Sequence, residues 1–180
     1  MSDTPRGEDA VLVAVQRALA DRPGVLPAAR GLSHFGEHSL GWVAIAALGA
    51  LLSPRRRRGY LAAGAGAFVA HAAAVVIKRV VRRQRPHHPA IAVNVGTPSR
   101  LSFPSAHATS TTAAAVLLAR PTGLPLPALL VPPMALSRLV VGVHYPSDVL
   151  TGVAVGAAVG KAVGRLTDTV ADRDRRRTPR

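Results

Sequence analysis

Four consecutive arginines, Arg55, Arg56, Arg57 and Arg58, separate two apolar runs and constrain the fold more than any other feature of this chain. So much positive charge in so short a connection marks a loop on the cytoplasmic face, from which the flanking runs enter the membrane. The run after it, residues 59–77, is rich in Ala and Gly and is close to the roughly 20 residues a helix needs to span hydrocarbon. Further runs follow at 104–119, 124–143 and 148–166. The run before it, 40–52, reaches spanning length only by taking in residues 33–39. Pro125, Pro127, Pro132 and Pro133 predict kinks in the 124–143 run. Gly152, Gly156, Gly160 and Gly164 recur every four residues, which gives that helix one small-residue face for close contact.

The formal net charge is +14, which raises the possibility of a nucleic-acid partner. The arginines, however, cluster at the ends of apolar runs, where they suit anionic headgroups. Aromatic residues make up only 3% of the chain, so base stacking has no platform. The chain has no cysteine, which removes disulfides and thiolate metal sites. No secretory signal peptide is expected at the N-terminus. Residues 8–21 carry apolar side chains at helical spacing and predict an amphipathic helix in the membrane interface, which Pro23, Gly24 and Pro27 then break. The expected fold is all-α: a polytopic membrane bundle of about five transmembrane helices plus an N-terminal amphipathic interfacial helix. Residues 1–32 form the tail and that helix, 33–166 the membrane domain, and 167–180 a charged tail.

Three short stretches carry chemistry. Lys78 and Arg85 are seven residues apart, which on a continuous helix puts two cations on one face as an anion clamp. The competing reading is a pair of snorkelling cations, which also fits Arg79, Arg82 and Arg83. Pro104-Ser105-Ala106-His107 opens an apolar run. Proline at the first helical position would leave backbone N–H groups aimed at an anion, with a hydroxyl from Ser105 and a proton from His107. His107 could equally be a simple interfacial residue. Arg138 sits within an apolar run, His144 follows it, and Asp148 lies four residues beyond His144. With Pro146 at the first helical position, Asp148 falls in the first turn and can orient one ring nitrogen of His144, leaving the other free to attack. A snorkelling arginine plus a helix cap is the plain alternative. With five spans, all three stretches fall on one side of the membrane, opposite Arg55–Arg58 and Arg120.

Taken together, Lys-x6-Arg-Pro at 78–86, Pro-Ser-Ala-His at 104–107 and Ser-Arg-x5-His-x3-Asp at 137–148 resemble the three-part signature of the type 2 phosphatidic acid phosphatase family. The resemblance implies a membrane-bound phosphatase in which His144 is the nucleophile and forms a phosphohistidine, and Asp148 orients it. It further implies that His107 protonates the leaving alcohol and then activates water. Lys78, Arg85 and Arg138, with Ser105, Ala106 and nearby N–H groups, would hold the phosphoryl oxygens. The family usually has glycine where this chain has Ala106, a departure expected to leave function intact. The cations replace metal charge, so neither metal nor cofactor is expected. The substrate should be a lipid with a phosphorylated head. The wording Arg-Arg-Gln-Arg-Pro, Phe-Pro-Ser-Ala-His and His-Tyr-Pro-Ser-Asp is similar to the branch that dephosphorylates a polyprenyl-linked ribose 5-phosphate in cell-wall arabinan synthesis. Undecaprenyl diphosphate and phosphatidylglycerophosphate are the alternative substrates. A non-catalytic scaffold that binds lipid phosphate is the alternative from a different class. Head-group choice is expected in the loop 87–103 and the 124–143 run, and the site is expected on the periplasm-like side of the inner membrane.

Overall fold

The computed structural model describes residues 4–177, with side chains to Arg173, and is built from seven α-helices. These are α1 (Gly7–Leu19), α2 (Val25–Gly36), α3 (Leu40–Leu52), α4 (Arg57–Val81), α5 (Ala106–Thr122), α6 (Leu126–Val140) and α7 (Pro146–Arg177). Short 3₁₀ turns, Glu37–Ser39 and Pro54–Arg56, join α2 to α3 and α3 to α4. An isolated antiparallel bridge between Gln84 and Leu101 is the extended pairing among the described residues.

Helix α5 is the axis of the bundle. It packs on α4, α6 and α7, and most of its side chains are buried. Four consecutive hydroxyl residues, Thr109 to Thr112, lie in that interior and are all satisfied. Thr109 and Thr112 donate to the carbonyls four residues earlier, at 2.8 Å in each case, Ser110 donates to His107 O, and Thr111 Oγ1 accepts from Trp42 Nε1 at 3.0 Å. In an apolar medium each unpaired hydroxyl would be costly, so this pairing is what lets so polar a helix sit at the centre. Trp42 also meets Phe35 edge to face at 4.7 Å and packs with Ala63, Ala67, Ala114, Leu117 and Leu118.

The glycine ladder of α7 faces α5. A Cβ at Gly152 would lie 2.7 Å from Ser105 O, and one at Gly160 would lie 3.1 Å from the Val116 Cβ. The opposite faces of the helices are apolar and bare: Leu51, Leu52, Phe68, Val76, Leu150 and Leu166 are all more than half exposed. A surface of that kind is stable against lipid, not water.

Among the described residues, three helical stretches are long and apolar enough to cross a bilayer: Val25–Leu52, Pro54–Val81 and Pro146–Arg173. Of the five spans expected, the one at 40–52 is α3. The residues 33–39 expected to lengthen it lie in the end of α2 and the 3₁₀ turn that joins the two helices. Helix α2 begins ahead of Pro27, where the sequence predicts a break. Pro27 sits in the first turn of α2, where its missing N–H would have had no helical partner. Helices α5 and α6 have 17 and 15 residues and fall short of those criteria. Helix α7 runs without a break past Leu166 to Arg177, into the segment expected as a charged tail.

Helix α1 does not simply float on the membrane. Its Leu12 and Val13 are buried with Ile91, and Gln16 reaches into the protein. The Gln16 amide donates to Ala92 O at 2.7 Å and Val140 O at 3.0 Å and accepts from Ala92 N at 3.0 Å. One side chain thereby ties the loop after α4 to the end of α6.

Candidate active site

The three stretches converge on one cavity of about 640 Å³, lined among others by Lys78, Arg85, Ala106, His107, Arg138 and His144. Local structure explains how each arrives there.

Helix α4 ends at Val81 because Arg82 adopts the left-handed conformation, with φ of 55°. Lys78 and Arg85 therefore do not share a helical face. Arg85 comes from an extended segment that pairs with the chain before α5: Ser102 N donates to Arg83 O at 2.8 Å and Arg85 N to Arg100 O at 3.2 Å. Lys78 is buried, and its ammonium donates to Leu101 O, Ser102 O and Pro104 O at 3.3, 2.8 and 2.6 Å. An ammonium has three protons, so Lys78 is saturated by main chain and holds the turn that leads into α5.

Pro104 is not the first helical residue. Ser105 is the N-cap of α5, its hydroxyl accepting from Ala108 N at 3.4 Å while its own N–H donates to Asp148 O at 2.9 Å. Ser105 thus caps the helix and joins it to α7 and is not on the cavity wall, whereas Ala106 and His107 are. The first-turn N–H groups of α5 give that wall partial positive charge.

His107 Nε2 lies 2.9 Å from Ser33 O. A carbonyl only accepts, so Nε2 carries the proton and Nδ1 is left for proton transfer. Gly36 leaves room for this ring, since a Cβ there would stand 2.6 Å from His107 Cδ2. Arg138 is 1% exposed, and its Nη2 donates to Ser33 Oγ at 2.6 Å and Ala29 O at 3.2 Å. Helix α2 therefore positions both groups.

His144 follows Gly142, whose φ of 73° and contact with Ala92 O exclude any side chain. His144 Nε2 faces Arg85 Nη1 at 3.3 Å. A guanidinium only donates, so Nε2 presents its lone pair and the proton sits on Nδ1. That nitrogen is 3.6 Å from Asp148 Oδ2, within ion-pair range but longer than a hydrogen bond. Burial, then Arg85, Lys78 and Arg138, hold the imidazole well below its ordinary range, so it stays neutral. Burial likewise lowers Arg85 to about 10, which leaves it charged near neutrality.

Asp148 is wholly buried and held from three sides. Oδ2 accepts from Tyr145 N at 2.8 Å, and Oδ1 accepts from Arg83 Nη1 at 3.0 Å. Arg83 lies 4.1 Å over the Tyr145 ring and pairs with Glu8 of α1, whose other oxygen accepts from Ser147 N at 2.8 Å. By sequence, Arg83 is one of the snorkelling cations and Glu8 sits at the start of the amphipathic helix. The structure instead joins them in a chain that ends on Asp148. Glu8, Gln16 and Ser33 carry no motif signal and Arg83 appears only within the Arg-Arg-Gln-Arg-Pro wording, since each acts on a partner more than 60 residues away.

Relatives include decaprenylphosphoryl-5-phosphoribose phosphatase from Mycolicibacterium smegmatis, 82% identical over 84% of this chain and 84% of that protein. The protein of that name from Mycobacterium tuberculosis is 76% identical over 84% of this chain and 85% of its own length. In fold, the chain is similar to the PAP2-type phosphatidylglycerolphosphate phosphatase of Bacillus subtilis, with a TM-score of 0.71 at 21% identity over 89% and 86% of the two chains. It is also similar to Aquifex aeolicus LpxE, with a TM-score of 0.62 at 18% identity over 87% and 93%. The PAP2 superfamily model matches residues 59–171, which hold all three motifs, and the chain belongs to that superfamily of phosphatases.

Proposed function

We propose that this protein hydrolyses the 5-phosphate of a decaprenylphosphoryl-linked phosphoribose through a phosphohistidine on His144. The observation that carries the chemistry is the environment of His144: a buried neutral imidazole whose Nε2 lone pair faces a cation-lined cavity, backed by Asp148. The substrate rests on relatives at 76–82% identity that carry that name.

In the first step His144 Nε2 attacks phosphorus as the ester P–O bond breaks. Arg85 and Arg138, with the first-turn N–H groups of α5, stabilise the equatorial oxygens. His107, when doubly protonated, gives its Nδ1 proton to the departing alkoxide, and Asp148 balances the charge that develops on the His144 ring. In the second step neutral His107 takes a proton from water, whose oxygen attacks phosphorus. The P–N bond breaks and His144 is restored with inorganic phosphate released. Lys78 acts by holding residues 101–104, which set the start of α5.

Because guanidinium groups supply the charge, turnover should persist in excess EDTA. Phosphate release from decaprenylphosphoryl-5-phosphoribose by the purified protein in detergent tests this. Loss of turnover under chelation that magnesium restores would overturn the metal-free reading, and failure to release phosphate from this lipid would overturn the substrate.

Sidedness is supported by α4, whose 25 residues extend about 37 Å at the ordinary helical rise. The Arg55–Arg58 block lies at its start and Lys78 near its end. The Arg55 end is fastened by Arg56 donating to Pro121 O at 2.6 Å and by the Arg120–Asp168 pair at 2.6 Å. With that end cytoplasmic, the cavity opens on the periplasm-like side of the inner membrane. A single cysteine at residue 90 should react with a membrane-impermeant maleimide in intact cells, and one at residue 57 should not. The reverse pattern would place catalysis in the cytoplasm.

A further inference from the structure

The cavity extends well past the phosphate-binding groups. His71, Val75 and Lys78 line it at i, i+4 and i+7, one face of α4. His71 is thus about 10 Å along the helix from Lys78, toward the middle of the membrane. An ionisable ring at that depth ordinarily has a partner or a functional reason. Its Nδ1 is buried and has no hydrogen-bond partner. The ring faces His38, with centroids 5.7 Å apart. His38 and Ser39 have φ of 50° and 59°, a left-handed conformation that non-glycine residues seldom adopt in succession. That turn places Glu37 and His38 on the cavity wall immediately after Gly36, the residue packed against His107. None of these three side chains takes part in the phosphoryl transfer described above.

We propose that His71, His38 and Glu37 form a subsite for a hydroxylated leaving group, the sugar of a sugar phosphate. This rests on the phosphatase reading of the same cavity. The leaving oxygen must lie beside His107, so whatever it belongs to occupies the space next to Gly36 and Glu37. A bare prenol or diacylglycerol would need apolar walls there. Two imidazoles and a carboxylate instead offer donors and acceptors, which is what vicinal hydroxyls require. A prenyl diphosphate would put its retained phosphate on the leaving oxygen, in the region of the Glu37 carboxylate, where like charges repel. The loop expected to select the head group also lines the cavity, through Val95 to Ser99, whereas α6 contributes only Arg138.

The test compares kcat/KM for a synthetic farnesylphosphoryl ribose 5-phosphate with that for dioleoyl phosphatidic acid in the same micelles. Wild-type protein should favour the ribose ester. His71→Phe keeps an aromatic ring and removes both nitrogens, and Glu37→Gln changes one exposed atom without threatening the fold. Each should lower the ratio of the two kcat/KM values at least tenfold, chiefly through KM for the ribose ester. A ratio unchanged within twofold in both variants, whether the two activities fall together or stay, would overturn the subsite. Wild-type protein that cleaves phosphatidic acid but not the ribose ester would overturn the sugar-phosphatase reading itself, and the subsite with it. Inactivity on both esters would overturn the phosphatase reading.

Discussion

His144→Ala should abolish turnover, by at least about 10⁴-fold, while leaving the protein folded. Its neighbours at the phosphate end do not replace it: His107 Nε2 is bound to Ser33 O and its Nδ1 is assigned to the proton transfers, while Lys78, Arg85 and Arg138 are cations. A loss of that size is about 5.5 kcal/mol of barrier. The residue lies between α6 and α7 and belongs to none of the apolar core clusters, so its loss should not unfold the bundle. Acid-labile phosphate trapped during turnover should appear on His144 and vanish in the variant. The pH profile offers a second check. Because burial and the neighbouring cations depress the His144 pKa, the neutral, attacking form persists as pH falls through 6.5. The acid limb belonging to the nucleophile should therefore lie well below that value. Substantial residual activity in His144→Ala would remove it as the nucleophile.

Gly156→Leu should prevent the bundle from assembling, and even Gly156→Ala should cost about 1–3 kcal/mol, the usual range for overpacking. A Cβ at this position would overlap the Thr109 carbonyl oxygen and lie 2.8 Å from the Thr112 Cβ. The obstructing atom is helix backbone, which cannot rotate aside. Alanine gains helix propensity over glycine of about 1 kcal/mol, so the steric term should outweigh it. Ala154→Leu, on the exposed face of the same helix, is the control and should be tolerated. Thermal unfolding in detergent separates the three. Equal stability of Gly156→Ala and wild type would mean that α5 and α7 are less closely packed than described here. The same contact matters to catalysis, because Ser105 N donates to Asp148 O at this interface and sets the two helix starts against each other.

Local features were legible in the sequence because they depend on near neighbours along the chain. Pro146 at the start of α7 puts Asp148 in its first turn, one turn from His144, whatever the rest of the protein does. The glycine spacing likewise assigns one face of α7 to close contact before its partner is known. The arginine block and the apolar runs dictate a helical membrane protein, since only internally hydrogen-bonded backbone survives in lipid.

Partner choice across the chain was decided by packing. Lys78 and Arg85 looked like a helical pair, yet a left-handed Arg82 ends the helix between them, and each reaches the site by a different route. Lys78 meets three carbonyls because the pairing of 83–85 with 100–102 brings that segment beneath it. Arg83 and Glu8 are ordinary surface charges in sequence. They become the support of Asp148 only when α1 lies across the loop after α4. A buried carboxylate selects its partners by distance and angle within an ångström, and residue order alone does not encode distances between segments 65 to 140 residues apart.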